Sequence, residues 1–506
     1  MTFWTSDNLR AACAGTWLLR PPPIGSTAER PITGLSTDSR FLSPGQAFLA
    51  LRGERFDGHH YLADAVAAGS PLLVVDTATV AEPLMRQARD AGIGIVRVGD
   101  TGKALMRLAG AYRRTLEKTK VIGVVGSNGK TTTTRLINAV LGSSLRGTAS
   151  AKSFNNAIGV PLTILSASPS DQYLICEIGS NAPGEVAPLA DVVEPDIAVI
   201  TSIGREHLEG FGTLQGVARE EASILQFLRP GGFAVVTADT PAQAPLTEYL
   251  KSLSNVVTFG ACRNADLRAS DVSHVVASTS GEGTFGLRFR INERMECSLP
   301  MIGGHNASNA LAAFAVGRRF GLDPERIIAA LGAAGGPPMR LQPVVIPSGA
   351  GREPIRIIND AYNANPDSML AALETLLQVA SSAPASAGRV VVVLGDMMEL
   401  GAAAEASHRE IAERVREMHT IDLVALVGEQ MDRWARPVLV APGNVRPVAS
   451  EPVAEERALD RLASLIRPGD LVLLKGSRRI MLERLVEALR ARATTEVLPS
   501  GAPCTA

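Results

Sequence analysis

Apolar residues run along this chain in short blocks, with alanine-rich stretches of helical spacing between them. In the first part the blocks AFLAL at 47–51, PLLVVD at 71–76 and IVRVG at 95–99 read as strands. YLADAVAAG at 61–69 and KALMRLAGAYRR at 103–114 carry helical apolar spacing, and the latter closes this section. The second part opens with VIGVVG at 121–126 and continues with YLICEIG at 173–179, IAVITSIG at 197–204 and FAVVTAD at 233–239. A helix begins within KTTTTRLINAVLG. Strand alternating with helix predicts a parallel α/β sheet. Between 266 and 300 the pattern changes to short alternating runs, TFGLRFRI and MECSLPMI, which predict a small antiparallel sheet before the helix NASNALAAFAVGRRFG at 306–321. From about residue 340 the strands IRIIND (355–360), RVVVVLGD (389–396), LVALVG (423–428) and LVLLKGS (471–477) each run into a polar loop and a helix. This is a second doubly wound sheet, with functional loops expected at strand C-termini. The stretches IPSGAGREP and SSAPASAG read as loops, the tail LPSGAPCTA as mobile, and no internal repeat is visible. Three domains are expected, at 1–118, 119–338 and 339–506.

A chain of 506 residues agrees with that division at roughly 100–200 residues per domain. With 50 Lys+Arg against 51 Asp+Glu, the formal net charge of -1 argues against a broad basic face for nucleic acid, while leaving room for a local pocket that takes a small anion. Cys13, Cys176, Cys262, Cys297 and Cys504 are scattered and contain no C-x-x-C pair, so neither a disulfide framework nor a zinc site is indicated. MTFWTSDNLR lacks a basic segment followed by an apolar run, and no stretch reaches the length of about 18 apolar residues that a membrane span needs. The expected location is the cytoplasm.

The candidate chemistry begins at GVVGSNGKTTTTR, 123–135. A strand, a Gly-rich turn and a helix place backbone N–H groups and a helix N-terminus around an anion. Gly126 and Gly129 permit close approach, Ser127 and Asn128 lie between them, Lys130 can reach β/γ-phosphates, and the Thr131 hydroxyl can ligate Mg²⁺. The match to G-x-x-x-x-G-K-[ST] is imperfect, since the first glycine would fall at Val124. The bland alternative is a Gly-rich turn with a surface lysine. The loop alone leaves a switch GTPase, a kinase and a ligase open, although no Asn-Lys-x-Asp guanine motif is present. Thr132 and Thr133 suit helix capping. Mg²⁺ takes hard oxygen ligands. Glu177, at the end of YLICE, is placed to face the loop, and His207 in SIGREHLEGFG follows another strand. Each could equally be a polar residue at a strand end.

Several stretches in order, STDSRFLSPGQAFLALRGERFDGHHYLADAVAAG (36–69), VVGSNGKTTT, SFNNAIGVPLTIL, EIGSNAPGEV, ITSIGREHLEGFG, GGHNASNALAA, NDAYNANPDSM, LGDMMELG and LVLLKGSRR, resemble the Mur ligases. The resemblance runs from about 30 to 490. It implies an α/β, three-domain architecture: a small N-terminal domain that binds the UDP end of the substrate, a central P-loop parallel-sheet ATPase domain, and a C-terminal Rossmann-like domain that closes on ATP. DAYNANPDSM resembles the branch of the family that adds D-alanyl-D-alanine to a UDP-N-acetylmuramoyl-tripeptide in peptidoglycan precursor synthesis. The reaction so implied uses ATP and Mg²⁺ and passes through an acyl phosphate that the dipeptide amine attacks. Carried over by residue, Lys130, Glu177 and His207 are catalytic, and Thr131, Glu177 and His207 hold Mg²⁺. The nucleotide takes the loop 126–132, with Thr132 included, together with Asn306, Asn309, Arg340 and Asp360. Thr37, Asp38, Ser39 and Arg40 resemble the UDP-holding loop, and Asn155 and Asn156 residues near the muramoyl peptide. Tyr362, Asn363 and Asn365 would line the nucleotide or dipeptide side, and Lys475, Ser477 and Arg478 form a compact basic loop there.

The pattern breaks in GVAREEASIL. Many Mur ligases have here a lysine whose carbamate helps to hold a second Mg²⁺; by spacing from His207 the position is Glu221, which would supply an anionic group without carbamylation. Ser202 stands where asparagine is expected. Within the same fold, a folylpolyglutamate synthase-like ligase is the rival reading, against which the STDSR and NANPDSM stretches speak. A nucleotide-binding homologue without catalysis is a further one, against which Lys130, Thr131, Glu177 and His207 speak. Domains joined by single crossings are expected to open and close, and the chain is expected to act as a monomer.

Overall fold

The computed structural model describes residues 3–23, 30–53, 56–77, 80–151, 154–279, 282–349, 351–382, 388–444 and 446–497. The tail from 498 and most of the SSAPASAG stretch lie outside the described residues.

The first sheet comprises β1 Thr16–Leu19, β2 Gly34–Ser36, β3 Gln46–Leu49, β4 Leu72–Val75 and β5 Gly94–Arg97, in the order β1-β5-β4-β3-β2. β1 is antiparallel to β5 and the rest are parallel. Helix Thr101–Thr115 ties this sheet to the next one. Its buried Arg113 donates to Val193 O and Glu194 O, both at 2.8 Å, and the Tyr112 hydroxyl donates to Ala167 O at 2.7 Å.

The second sheet holds β6 Lys120–Val125, β7 Gly147–Ala149, β8 Tyr173–Glu177, β9 Ile197–Ile200, β10 Phe233–Thr237, β11 Val256–Gly260, β12 Leu267–Thr279, β13 Glu282–Ile291 and β14 Met295–Leu299. Its order is β14-β13-β12-β11-β10-β9-β6-β8-β7. The expected small antiparallel sheet is therefore the edge of one nine-stranded sheet. β12 pairs in parallel with β11 through Phe259–Leu267 and Gly260–Arg268, and β13 and β14 then add in antiparallel fashion. After β6 the chain crosses to β7 and β8 on one side and later returns to β9 on the other. The carboxyl end of β6 is thus a topological switch point, where open α/β sheets bind ligands.

Helix Lys130–Gly142 starts at that point and packs on helix His305–Arg319. The second helix is rich in alanine, and a Cβ on Gly317 would lie 2.7 Å from Val140 Cγ1, so small side chains are what let the two helices approach. Burial of Leu136, Ile137 and Val140 in this contact contributes on the order of 1.5–3 kcal/mol each. It also brings Asn309 against the phosphate loop.

The third sheet contains β15 Gln342–Ile346, β16 Ile355–Asp360, β17 Val390–Gly395, β18 Leu423–Val427, β19 Val448–Glu451 and β20 Leu471–Lys475, ordered β15-β16-β20-β17-β18-β19. β15 is antiparallel to β16 and the others are parallel. Asp360 and Lys475 are register partners at the carboxyl ends of β16 and β20. This domain is closed on the middle one. Arg205 donates its backbone N–H to Asp367 Oδ2 at 2.6 Å and its Nε to Asp367 Oδ1 at 2.7 Å, and its Nη1 meets Glu410 Oε2 at 2.7 Å. Among the described residues, no helix is long and apolar enough to cross a membrane.

Candidate active site

A cleft of about 1400 Å³ lies between the middle and third domains, over the carboxyl ends of β6 and β8. The residues expected to bind or react all line it, except Gly126, Glu221 and the four at 37–40.

The phosphate loop is built by bonds to the segment after β9. Ser127 N–H donates to Ser202 O at 3.0 Å, Asn128 N–H to Ser202 Oγ at 2.8 Å, and Thr201 Oγ1 to Asn128 O at 2.7 Å. Ser202, anomalous in the sequence, is thus a structural part of the loop. Gly126 has φ +128° and Gly129 φ +86°, and a Cβ at Gly129 would sit 2.4 Å from Asn309 Oδ1. Gly129 begins the helix with no side-chain cap, so Thr132 and Thr133 do not cap it. Thr133 Oγ1 instead donates to Asn309 Oδ1 at 3.1 Å. No protein partner among the described residues takes the N–H groups of Gly129, Lys130, Thr131 or Thr132. Four free donors at a helix N-terminus make an anion site.

Lys130 Nζ folds back onto Gly126 O, lies 3.3 Å from Ser127 O and 3.8 Å from Glu206 Oε2. Glu177 is fully buried at the end of β8. Its Oε1 accepts from Thr131 Oγ1 at 3.1 Å and Asn155 Nδ2 at 3.0 Å, while its Oε2 has no partner. Burial pushes this carboxyl above its ordinary range, and the nearby Lys130 and Arg340 charges pull it back. Arg340 Nη2 donates to Thr131 Oγ1 at 3.1 Å, and its guanidinium stacks 4.1 Å from the Tyr362 ring centroid. An unpartnered buried carboxylate oxygen beside a hydroxyl is a donor set that fits a hard divalent cation.

His207 has φ +44°, and its Nδ1 lies 2.6 Å from Glu399 Oε2 of the third domain. Glu221 departs from its expected place. It is 1% exposed, beneath the loop, and its Oε2 accepts the Gly126 N–H at 2.7 Å. Helix Leu214–Ala222 turns this face inward, and burial pushes the Glu221 carboxyl up to about 8. Its neighbour Glu220 is buried as well and accepts from Gly184 N–H and Val186 N–H, both at 2.8 Å. Among the described residues, no three His, Cys, Asp or Glu side chains converge as a metal cluster.

Asn306 and Asn309 line the cleft but bond to each other, Asn309 Nδ2 to Asn306 Oδ1 at 2.9 Å. Asn156 Oδ1 accepts from Gly159 N–H at 2.9 Å at the start of the following helix. Lys475 is 2% exposed, and donates to Asp360 Oδ2 at 2.6 Å and Asn363 O at 3.1 Å. The other Asp360 oxygen accepts Leu341 N–H at 3.0 Å. Lys475 is therefore a buried strut, unlike the basic turn that its sequence context shows. Asn365 caps helix Pro366–Ser381 and donates Nδ2 to Asn128 Oδ1 at 3.1 Å. The Ser477 hydroxyl accepts Met398 N–H at 3.0 Å, and Arg478 pairs with Glu483. Outside the cleft, residues 37–40 form an Asp turn, in which Asp38 accepts the Arg40 backbone N–H at 3.0 Å and pairs with the exposed Arg40 guanidinium at 2.7 Å.

Among the cleft residues without a place in the sequence expectations are Arg205, Glu206, Asp367 and Glu399. Glu206 is 5% exposed, its Oε1 has no partner, and its Oε2 faces Lys130. Its position beside His207 was the available signal. The other three declare themselves through contacts across the domain interface.

Family models match three segments: "Mur ligase family, catalytic domain" at 31–113, "Mur ligase middle domain" at 124–317 and "Mur ligase, glutamate ligase domain" at 339–478. The chain is 35% identical to the UDP-N-acetylmuramoyl-tripeptide--D-alanyl-D-alanine ligase of Bacillus subtilis, over 96% of this chain and 98% of the relative. It is 33% identical to the Escherichia coli protein of the same name, over 92% and 96%. A crystal structure of MurF from Acinetobacter baumannii superposes with a TM-score of 0.81 at 30% identity, over 96% of this chain and 99% of that one. MurF ligase from Thermotoga maritima in complex with ADP shares the fold, with a TM-score of 0.73 at 24% identity over 93% and 100%.

Proposed function

The chain belongs to the Mur ligase family, and from that premise we infer that it is an ATP-dependent amide-bond-forming ligase that joins D-alanyl-D-alanine to a UDP-N-acetylmuramoyl-tripeptide. The observation that carries this reading is 33–35% identity over more than nine-tenths of the chain to ligases of that name, and it is supported by a phosphate loop whose Gly129 to Thr132 N–H groups have no protein partner among the described residues.

A carboxylate is a poor electrophile, so the tripeptide carboxylate first takes the γ-phosphoryl group of ATP, and ADP leaves. The amine nitrogen of the dipeptide then attacks the acyl carbon, and phosphate departs from the tetrahedral intermediate. The protein's part is positioning and charge neutralisation. The free N–H groups of Gly129 to Thr132 receive the nucleotide phosphates, and Lys130 swings from the loop carbonyls onto the transferred group. Arg340, held over the Tyr362 ring, covers the same charge from the third domain. Thr131 and Glu177 would hold Mg²⁺, which supplies Lewis-acid neutralisation of the phosphate oxygens when bound. Asn155 keeps the Glu177 carboxylate turned toward Thr131. The loop 37–40, with the Arg40 guanidinium exposed, receives the UDP end. The enzyme acts in the cytoplasm as a monomer, where both the nucleotide-linked precursor and ATP are present; sedimentation velocity tests the oligomeric state.

The reading is tested by phosphate release from Mg·ATP, with UDP-muramoyl-tripeptide and D-alanyl-D-alanine added singly and together. Release that needs both, with a pentapeptide product by mass, is expected. No release with either the diaminopimelate or the lysine tripeptide would overturn it.

A further inference from the structure

We infer that Glu221 is a positioning residue of the phosphate loop: its carboxyl oxygen holds the Gly126 N–H and so fixes where the anion cradle begins. This rests on the nucleotide-site reading above.

The first three N–H groups of the loop all have protein partners: Gly126 on Glu221, Ser127 on Ser202 O and Asn128 on Ser202 Oγ. The next four, from Gly129 to Thr132, are left for the ligand. The division falls where it does because three acceptors occupy the first donors. Two of them come from the loop after β9, and the third comes from a different element, helix Leu214–Ala222. Gly126 cannot be held by packing alone. It carries no side chain, and at φ +128° it is pressed against Thr201 Oγ1, which a Cβ would meet at 2.3 Å. Without an acceptor, its buried N–H would be left unpaired, and the loop would relax toward a conformation that satisfies it.

The position of Glu221 argues against contact with a nucleotide-bound cation. The side chain is 1% exposed and does not line the cleft, while Glu177, a lining residue, keeps an unpartnered oxygen beside Thr131. Glu220 does the same kind of work one residue earlier, with both oxygens on Gly184 and Val186 N–H. One helix end therefore pins two loops that border the cleft.

The test is ADP binding by calorimetry, first in EDTA and then with Mg²⁺ titrated in, on the parent, Glu221→Gln and Glu221→Ala. Gln keeps an acceptor oxygen and Ala does not. Loss of one buried acceptor weakens metal-free ADP binding by about tenfold or more in Glu221→Ala, and Glu221→Gln recovers it to within about threefold. The Mg²⁺ concentration for half-effect stays within about twofold in both. Metal-free ADP binding that is unchanged in Glu221→Ala overturns the inference, as does a Mg²⁺ requirement raised about tenfold in Glu221→Gln, which would make the residue a cation ligand. If Glu221→Ala does not fold, Glu221→Met, which fills the site without an acceptor oxygen, takes its place in the metal-free arm, and Glu221→Gln still decides the cation arm. A parent that binds no ADP would defeat the nucleotide-site reading itself, a different result from a parent that binds and an Ala variant that binds equally well.

Discussion

Gly129→Ala perturbs the phosphate loop without touching its charges. The residue sits at φ +86°, where an alanine costs roughly 1–2 kcal/mol. Its new Cβ would also fall 2.4 Å from Asn309 Oδ1. Asn309 has no free direction of retreat. Its Oδ1 accepts from Thr133 Oγ1 at 3.1 Å, and its Nδ2 donates to Asn306 Oδ1 at 2.9 Å, while Asn306 is held by Ile302 O at 2.7 Å. Relief of the overlap breaks at least one buried hydrogen bond, for about 1–3 kcal/mol more. The sum, roughly 2–5 kcal/mol, corresponds to a melting point lower by roughly 5–15 °C for a domain of this size. The same movement shifts the free N–H groups at the helix start, so ADP affinity falls by about tenfold or more. Gly231→Ala is the control: it has φ +75° but no heavy atom within 4 Å of the new Cβ, so it carries the backbone strain alone. Calorimetric melting and ADP titration of both variants separate strain from overlap. If Gly129→Ala bound ADP within about twofold of the parent and melted within about 2 °C of Gly231→Ala, the coupling of the loop to Asn309 would be refuted.

Lys475→Met removes the partner of Asp360 from a pair whose ammonium is 2% exposed, and the carboxylate left behind costs about 3 kcal/mol, read as a melting point lower by roughly 6–12 °C; a change under about 2 °C would contradict the strut assignment. Arg205→Ala removes the contacts to Asp367 and Glu410, and for a side chain about one-third exposed each is worth no more than about 1 kcal/mol. Together they shift the open–closed balance by about tenfold, so small-angle scattering should show a larger radius of gyration and the KM for D-alanyl-D-alanine should rise; identical scattering curves would count against this latch. Burial raises the Glu221 carboxyl from 4.5 to about 8, so the folded chain keeps a proton that the unfolded chain has released. Parent stability therefore falls as pH rises through that window. Glu221→Gln lacks this loss, and its melting advantage over the parent should widen between about pH 5 and about pH 8 and then level off; a pH-independent difference would refute it.

Much of the fold was readable because buried parallel strands announce themselves as uninterrupted apolar runs. IAVI, LVALV and LVLLK are buried along their whole length. Edge strands carry less signal. Thr16–Leu19, Gly147–Ala149 and Val448–Glu451 are half-buried, three or four residues long, and were not foreseen. The attachment of the antiparallel strands to the main sheet was also hidden, since it rests on two residue pairs between β11 and β12 that no periodicity encodes. In the site, the residues local to a strand end or turn were legible: Gly126 to Thr132 after β6, Glu177 at the end of β8, and Asp360 at the end of β16.

What the sequence hid is the destination of long polar side chains. Glu206, Glu220 and Glu221 are all acidic residues in or after loops near the phosphate site, and spacing treats them alike. The structure divides them by direction. Glu206 reaches into the cleft toward Lys130, Glu221 passes under the loop to a backbone N–H, and Glu220 reaches the neighbouring loop. A helix places residues 220 and 221 about 100° apart, yet both are buried here, because two separate loops fold over the end of helix Leu214–Ala222. Whether a carboxylate holds a cation or a peptide N–H is decided by which loop lies above it, which is a property of the tertiary fold. The same holds for Arg205: its two carboxylate partners lie 162 and 205 positions away and meet it only when the third domain is closed. Residues that fix the cradle and residues that close it are therefore the ones that motif spacing could not assign, and they are the ones whose substitution separates binding of the nucleotide from closure around it.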